Sequence, residues 1–144
     1  MRKELDEALC AKYPDIFRNR HGDMRETAMC WGFECGDGWY NIIDTLCATI
    51  KSREYNLSIR VLDKEEYFPV IADQVKEKYG GLRFYYRGGD DYIHGAASMA
   101  EYLSEVTCEK CGAPGKTRDG GWIRTLCDEH AKEQGYSLED EEDE

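Results

Sequence analysis

The chain has 144 residues, 41% of them hydrophobic and 12% aromatic, enough apolar surface to fold one ordinary domain and too much for a disordered chain. No apolar run reaches the length of a membrane span, and the opening MRKELDEALC lacks a signal-peptide core, so the expected setting is cytoplasmic with no membrane partner. The formal net charge is −11, of which EDEEDE at residues 139 to 144 carries six, so the remaining body is only mildly acidic.

In chain order, the spacing of Leu5, Ala8, Leu9 and Lys12 predicts a helix from about Arg2 to Tyr13, with Pro14 near its end. AMCWGFECGDGWY then reads as an extended stretch closing in a turn at Asp37-Gly38. From Trp39, the apolar positions Trp39, Ile42, Ile43, Leu46, Cys47 and Ile50 form a strong helical face, which predicts the central helix. Leu57, Ile59 and Val61 alternate with polar residues and predict a short strand. After Phe68-Pro69, VIADQVKEKYG is read as a helix with Val70, Ile71, Val75 and Tyr79 on one face and Gly80-Gly81 as its stop. Leu82 to Arg87 predict a strand whose core face is Leu82, Phe84 and Tyr86 and whose other face is Arg83, Tyr85 and Arg87. Ile93, Ala96, Ala97, Ala100 and Leu103 predict a helix from Asp91 to Val106. No internal repeat is present, and the acidic tail is the one low-complexity run.

The C-terminal region carries the most specific signal. Cys108 and Cys111 in CEKC are followed, after fifteen residues, by Cys127 and His130 in CDEH, a spacing that closes a tetrahedral zinc site. Gly112 allows a sharp knuckle, GKTRDGG predicts a hairpin turn, and Trp122-Ile123-Arg124 a short strand. Thr125 is expected to cap a helix starting near Leu126, placing Cys127 and His130 on one face of its first turn. Knuckle, hairpin and ligand-bearing helix together resemble a treble-clef zinc finger from Thr107 to about Gly135. Four protein ligands leave no place for water, which favours one structural zinc over a catalytic one. A redox dithiol would open a helix, whereas Gly112, Pro114 and Gly115 follow this pair. The expected fold class is α+β: a small mixed domain over residues 1–106, a treble-clef-like zinc finger over 107–136, and a disordered acidic tail over 137–144. Cys10, Cys30, Cys35 and Cys47 show no disulfide framework and read as buried or incidental thiols.

The segments CWGFECGDGWY, VKEKYGGLRFYY and CEKCGAPG with GWIRTLCDEH resemble a small family met in bacterial and bacteriophage genomes, over about residues 29 to 131. The resemblance brings a genomic context and no established reaction.

Signatures of phosphate-binding, zinc-protease and serine-hydrolase sites are missing, and acidic pairs such as Asp37 with Asp44 are expected by chance in so acidic a chain. His21 or His94 beside Cys30 or Cys35 would be the available nucleophile and base, a loop histidine and a half-buried thiol being the simpler reading. The expectation is therefore a non-catalytic, zinc-binding interaction protein. In the sharper form it is a phage-encoded inhibitor or adaptor whose acidic surface meets a basic nucleic-acid-handling protein. Two alternatives stay open. One is binding of RNA or single-stranded DNA through Arg83, Tyr85 and Arg87, with Lys116 and Arg118 of the finger. The other is a small metal-dependent enzyme.

Overall fold

The helical face that starts at Trp39 organises everything around it. In the computed structural model, which describes residues 1–59 and 66–138, this face belongs to α2 (Tyr40–Ile59), and Trp39, Ile43, Leu46, Cys47 and Ile50 are all buried. Helix α1 (Lys3–Lys12) lays Leu9 into the same core, and Tyr13 just after it donates its hydroxyl to the Asp44 carboxylate at 2.6 Å. Two short 3-10 turns, Ala28–Trp31 and Asp37–Trp39, flank the two-residue strand β1 (Phe33–Glu34). Among the described residues, no helix is long and apolar enough to cross a membrane.

Strand β2 (Ile71–Lys78) lies at the centre of a three-stranded sheet, parallel to β1 and antiparallel to β3 (Gly81–Arg87). The sequence predicts a helix where β2 stands. The pairing explains the misreading: a bulge between Ala72 and Gln74 inserts one residue, so Ala72 and Val75, three apart, both face the core. A strand with a bulge loses its two-residue period and takes on a spacing that imitates a helix. The strand expected around Leu57, Ile59 and Val61 is also corrected, because α2 continues through Ile59. Leu57 stands two helical turns beyond Ile50, so it prolongs that face; Val61 lies outside the described residues.

Helix α3 (Asp91–Ser104) is capped by the Asp90 carboxylate, which accepts from the Ile93 N–H at 3.1 Å. It covers the free edge of β3. Ser104 Oγ accepts from the Leu82 N–H at 2.8 Å and Glu101 accepts from the Phe84 N–H at 3.1 Å, which satisfies donors that an edge strand would otherwise offer to another chain.

The C-terminal region comprises the hairpin β4 (Lys116–Arg118) and β5 (Arg124–Leu126) and the helix α4 (Asp128–Glu133). With four α-helices and a small mixed sheet among the described residues, the fold is α+β, and the C-terminal segment has the knuckle, hairpin and helix of a treble clef. This segment packs directly on the core. Gly38 N–H donates to the Glu109 carbonyl at 2.7 Å, Trp39 Nε1 donates to the Thr107 carbonyl at 2.9 Å, and Thr125 Oγ1 donates to the Gly80 carbonyl at 2.6 Å. The EDEEDE tail lies outside the described residues.

The close approach at Gly38 is testable. A Cβ there would fall inside contact distance of the Cys108 and Glu109 backbones, so Gly38→Ala is expected to destabilise the fold by about 1–3 kcal/mol or more in chemical denaturation. Gly95, in the middle of α3, has open space on its side-chain side, and a methyl group there would meet nothing within 4 Å. It should respond in the opposite sense, Gly95→Ala stabilising by about 0.5–1 kcal/mol.

Candidate metal centre

The knuckle forms because the chain after α3 turns back on itself. Thr107 bridges to Pro114, the Cys108 N–H donates to the Ala113 carbonyl at 2.7 Å, and the Gly112 N–H donates to the Cys108 carbonyl at 2.9 Å. Gly112 sits at φ 81, a left-handed conformation that a residue lacking Cβ adopts without strain. This places Cys108 at the buried root of the turn and Cys111 at its exposed tip. The hairpin pairs Lys116 with Leu126, Thr117 with Thr125 and Arg118 with Arg124, and delivers the chain to Cys127.

Cys127, not Thr125, takes the N-cap of α4, and the helix starts at Asp128 instead of Leu126. Thr125 is buried within β5, where its hydroxyl is committed to Gly80. The strand expected at Trp122 likewise begins two residues later, at Arg124, because Gly120, Gly121 and Trp122 belong to the wide tip of the hairpin. The relation that matters persists: Cys127 and His130 lie on one helical turn.

The four side chains converge. Their ligand atoms, three Sγ and one imidazole nitrogen, all lie within 4.8 Å of one another, so Cys108, Cys111, Cys127 and His130 can hold one metal ion. The separations are Cys111 Sγ to Cys127 Sγ 3.8 Å, Cys108 Sγ to His130 Nδ1 3.6 Å and Cys127 Sγ to His130 Nδ1 3.2 Å. Metal bonds of about 2.3 Å to sulfur and about 2.05 Å to nitrogen, at tetrahedral angles, give edges of about 3.8 Å and about 3.6 Å. Two edges match, and the third is shorter. The outer ring nitrogen of His130 lies 3.9 Å from the Glu133 carboxylate, which in turn meets Lys110 Nζ at 3.5 Å. An acidic group thus lies on the side of the ring away from the sulfurs, which face Nδ1.

Electrostatics point the same way. Burial pushes the Cys108 thiol up, but backbone N–H groups from Cys127, Cys111 and Lys110, with the His130 ring, prevail and bring it down to about 6. Cys111 keeps an N–H from Ala113 yet is pushed up to about 11 by burial and by the sulfurs of Cys108 and Cys127. Three thiolates this close repel one another unless a cation sits among them. The donor set therefore fits a divalent ion, which would tie knuckle, hairpin and helix together with every tetrahedral position filled by protein.

Around this cluster is a second set of contacts that the sequence did not announce. Glu109, the residue after the first ligand, is only 4% exposed. Its carboxylate accepts from the Gly36 N–H at 2.9 Å and from Arg124 Nη2 at 3.1 Å, and its own N–H donates to the Thr125 carbonyl at 3.0 Å. In the sequence, Glu109 and Arg124 look like ordinary surface residues. The clue available in sequence was a glutamate inside a knuckle, together with a glycine-rich turn far upstream.

The remaining candidates are dispersed. Arg118 is 7% exposed and spends its guanidinium on the Leu126 carbonyl and on Asp128, at 3.0 Å and 2.8 Å; it supports the finger from inside and offers nothing to a phosphate. Arg83, Tyr85 and Arg87 do share the face of β3 opposite Leu82 and Phe84, but Arg87 is held by Asp73 at 2.6 Å and Arg83 donates to the neighbouring Leu82 carbonyl. Lys116 is exposed on β4. Asp37 and Asp44 do not pair with each other: Asp37 caps the chain at Arg2 and Asp44 receives Lys12 and Tyr13. Burial pushes the Cys35 thiol up to about 12, the Cys30 thiol is turned to the Thr27 carbonyl, and the His94 ring packs on Tyr86.

Native mass spectrometry on the untagged chain should find one divalent ion per chain, lost in Cys108→Ser and Cys127→Ser and kept in Cys30→Ser, whose thiol faces Thr27. Protons compete with the ion for every donor, so metal should leave on acidification and the apparent affinity should rise with pH. In the metal-free chain the same sign holds for Cys108: its folded value lies below its ordinary value of 9.0, so its contribution is present above that value and disappears as pH falls through about 6. No family model, curated protein or solved structure matches this chain.

Proposed function

We propose that the protein is a non-catalytic interaction protein braced by one structural zinc ion, with Cys108, Cys111, Cys127 and His130 as the ligands. The observation that carries this reading is the filled donor set. Three thiolates and an imidazole whose donor atoms lie within 4.8 Å of one another suit zinc by softness, and no fourth position remains for a water nucleophile. The bond from the Gly36 N–H to the Glu109 carboxylate supports the same assignment, since it ties the finger to the larger unit.

For the partner, we propose a protein with a basic surface, of the kind that handles nucleic acid, met by the acidic side of this chain in the cytoplasm. The net charge of −11 and the resemblance to a bacterial and bacteriophage family support an inhibitor or adaptor encoded by a phage. The chain also displays Trp31, Tyr55 and Tyr102 with most of each ring in solvent, residue types enriched where proteins meet. As an RNA or single-strand binder acting through the Arg83, Tyr85 and Arg87 face alone, the chain would have little to work with, because Arg87 is paired with Asp73 at the surface and Arg118 is buried under the finger. An enzyme would need a ligand to leave the metal.

Two measurements bear on these readings. X-ray absorption on purified protein should give three sulfurs and one nitrogen around zinc; an oxygen in place of a protein ligand would favour the enzyme. Affinity capture from a bacterial host should retain a nucleic-acid-handling protein that elutes as salt rises and binds less after removal of residues 139 to 144. Retention indifferent to both changes removes the electrostatic reading.

A further inference from the structure

We infer that the cleft between the β2–β3 turn and the tip of the finger hairpin is a stacking site for single-stranded nucleic acid, with Tyr79 and Trp122 receiving bases and Lys76 and Lys78 receiving phosphates. This goes beyond the protein-binding reading and does not depend on it.

The first observation is a tyrosine in an unfavourable place. Tyr79 and Gly80 form the turn between β2 and β3 with φ 53 and φ 79, and Tyr79 is the one residue other than glycine with positive φ among the described residues. Such a two-residue turn favours asparagine followed by glycine, and a bulky residue at its first position is strained. Packing does not repay that strain, for the ring is 73% exposed. A strained residue with a solvent-facing side chain is a pointer to function.

The second observation lies across the cleft. Trp122 is 71% exposed at the tip of the β4–β5 hairpin, a segment distant in sequence. Tyr79 and Trp122 line one cleft of about 370 Å³ together with Lys76, Glu77, Lys78, Gly121 and Ile123, a volume within the range of ligand sites. Both walls are fixed from behind. Thr125 Oγ1 donates to the Gly80 carbonyl, Tyr136 OH donates to the Trp122 carbonyl at 2.6 Å, and a Cβ on Gly80 would press on Ile123 and Thr125 at 3.3 Å. The backbone is thus held while the rings stay open.

Charge selects the ligand. Lys76 and Lys78 outnumber the one anion of the cleft, Glu77, whose carboxylate accepts from the Gly80 N–H at 2.9 Å, and Lys78 Nζ lies 5.7 Å from the Tyr79 ring centroid. Flat rings beside ammonium groups suit a base with its phosphate, and lysine is depleted from the centres of protein interfaces. The row continues across the sheet, where Lys76 pairs with Arg83 and Gln74 with Tyr85. Only an unpaired base offers its face to a ring, so a single strand gains stacking that a duplex does not, while both must overcome the chain's net charge of −11.

Fluorescence anisotropy with the zinc-loaded full chain at low salt, using labelled oligothymidylate, oligouridylate and a duplex of equal length, tests this. Single strands should bind at micromolar protein or below and the duplex more weakly. Trp122→Ala and Tyr79→Gly should each weaken single-strand binding by about tenfold, while Tyr92→Ala, an exposed ring on α3, leaves it unchanged. Tyr79→Gly also removes the backbone strain, so its thermal midpoint should be equal or higher. The inference is overturned if neither single strand binds, if the duplex binds as well, if both ring variants bind like the parent, or if Tyr79→Gly loses binding only together with its fold.

Discussion

The bonds made by Glu109 are the constraint on which the rest of the molecule depends. Its carboxylate is buried between the Gly36 N–H and the Arg124 guanidinium, its carbonyl accepts from Gly38, and its N–H donates to Thr125. One residue therefore joins the metal knuckle, the second strand of the finger hairpin and the turn that starts the central helix. A buried carboxylate is tolerated only while its partners remain, and removing one leaves an uncompensated charge that typically costs about 3–5 kcal/mol. Because Glu109 directly follows Cys108, whatever holds the sulfurs in place also holds this network.

The two halves of the chain consequently stabilise each other. The finger is too small to bury a core of its own, with Cys108, Leu126 and Ala131 as its buried cluster. It borrows from the larger unit, where Trp39 sits fully buried and sends its indole N–H to the Thr107 carbonyl. The larger unit gains as well, since Thr125 clamps the β2–β3 turn through Gly80. A metal in the finger would thus act on the geometry of a turn in the sheet, and the path is a short series of named hydrogen bonds.

That coupling decides what the surface can do. The free edge of β3 is closed by Ser104 and Glu101, so strand addition is not offered there. Several cations that look available in sequence are consumed inside: Arg118 under the finger, Arg124 on Glu109, Arg20 on Asp6. The exposed aromatic side chains remain on a backbone that is firmly tied down, which is the condition for binding without a large ordering cost.

Much of this was readable from the chain alone where the signal is local. Ligand spacing in CEKC and CDEH, the apolar face from Trp39 to Ile50, the alternation in LRFYYR and the helix after Asp90 each depend on neighbours within a few residues, and each stands in the structure as the pattern implies. The segment from Ile71 to Lys78 was misread because a bulge erased the alternation, and nothing local records the partner strand that creates it. The caps of the finger shifted for a similar reason: the Thr125 hydroxyl is claimed by Gly80, forty-five residues away. The four side chains that converge and most of the helices were legible from the chain, because periodicity and Cys/His spacing are short-range properties. Tertiary structure alone decided which charges are free, which are buried, and which aromatic rings face one another, because those depend on contacts between segments that the chain order keeps apart.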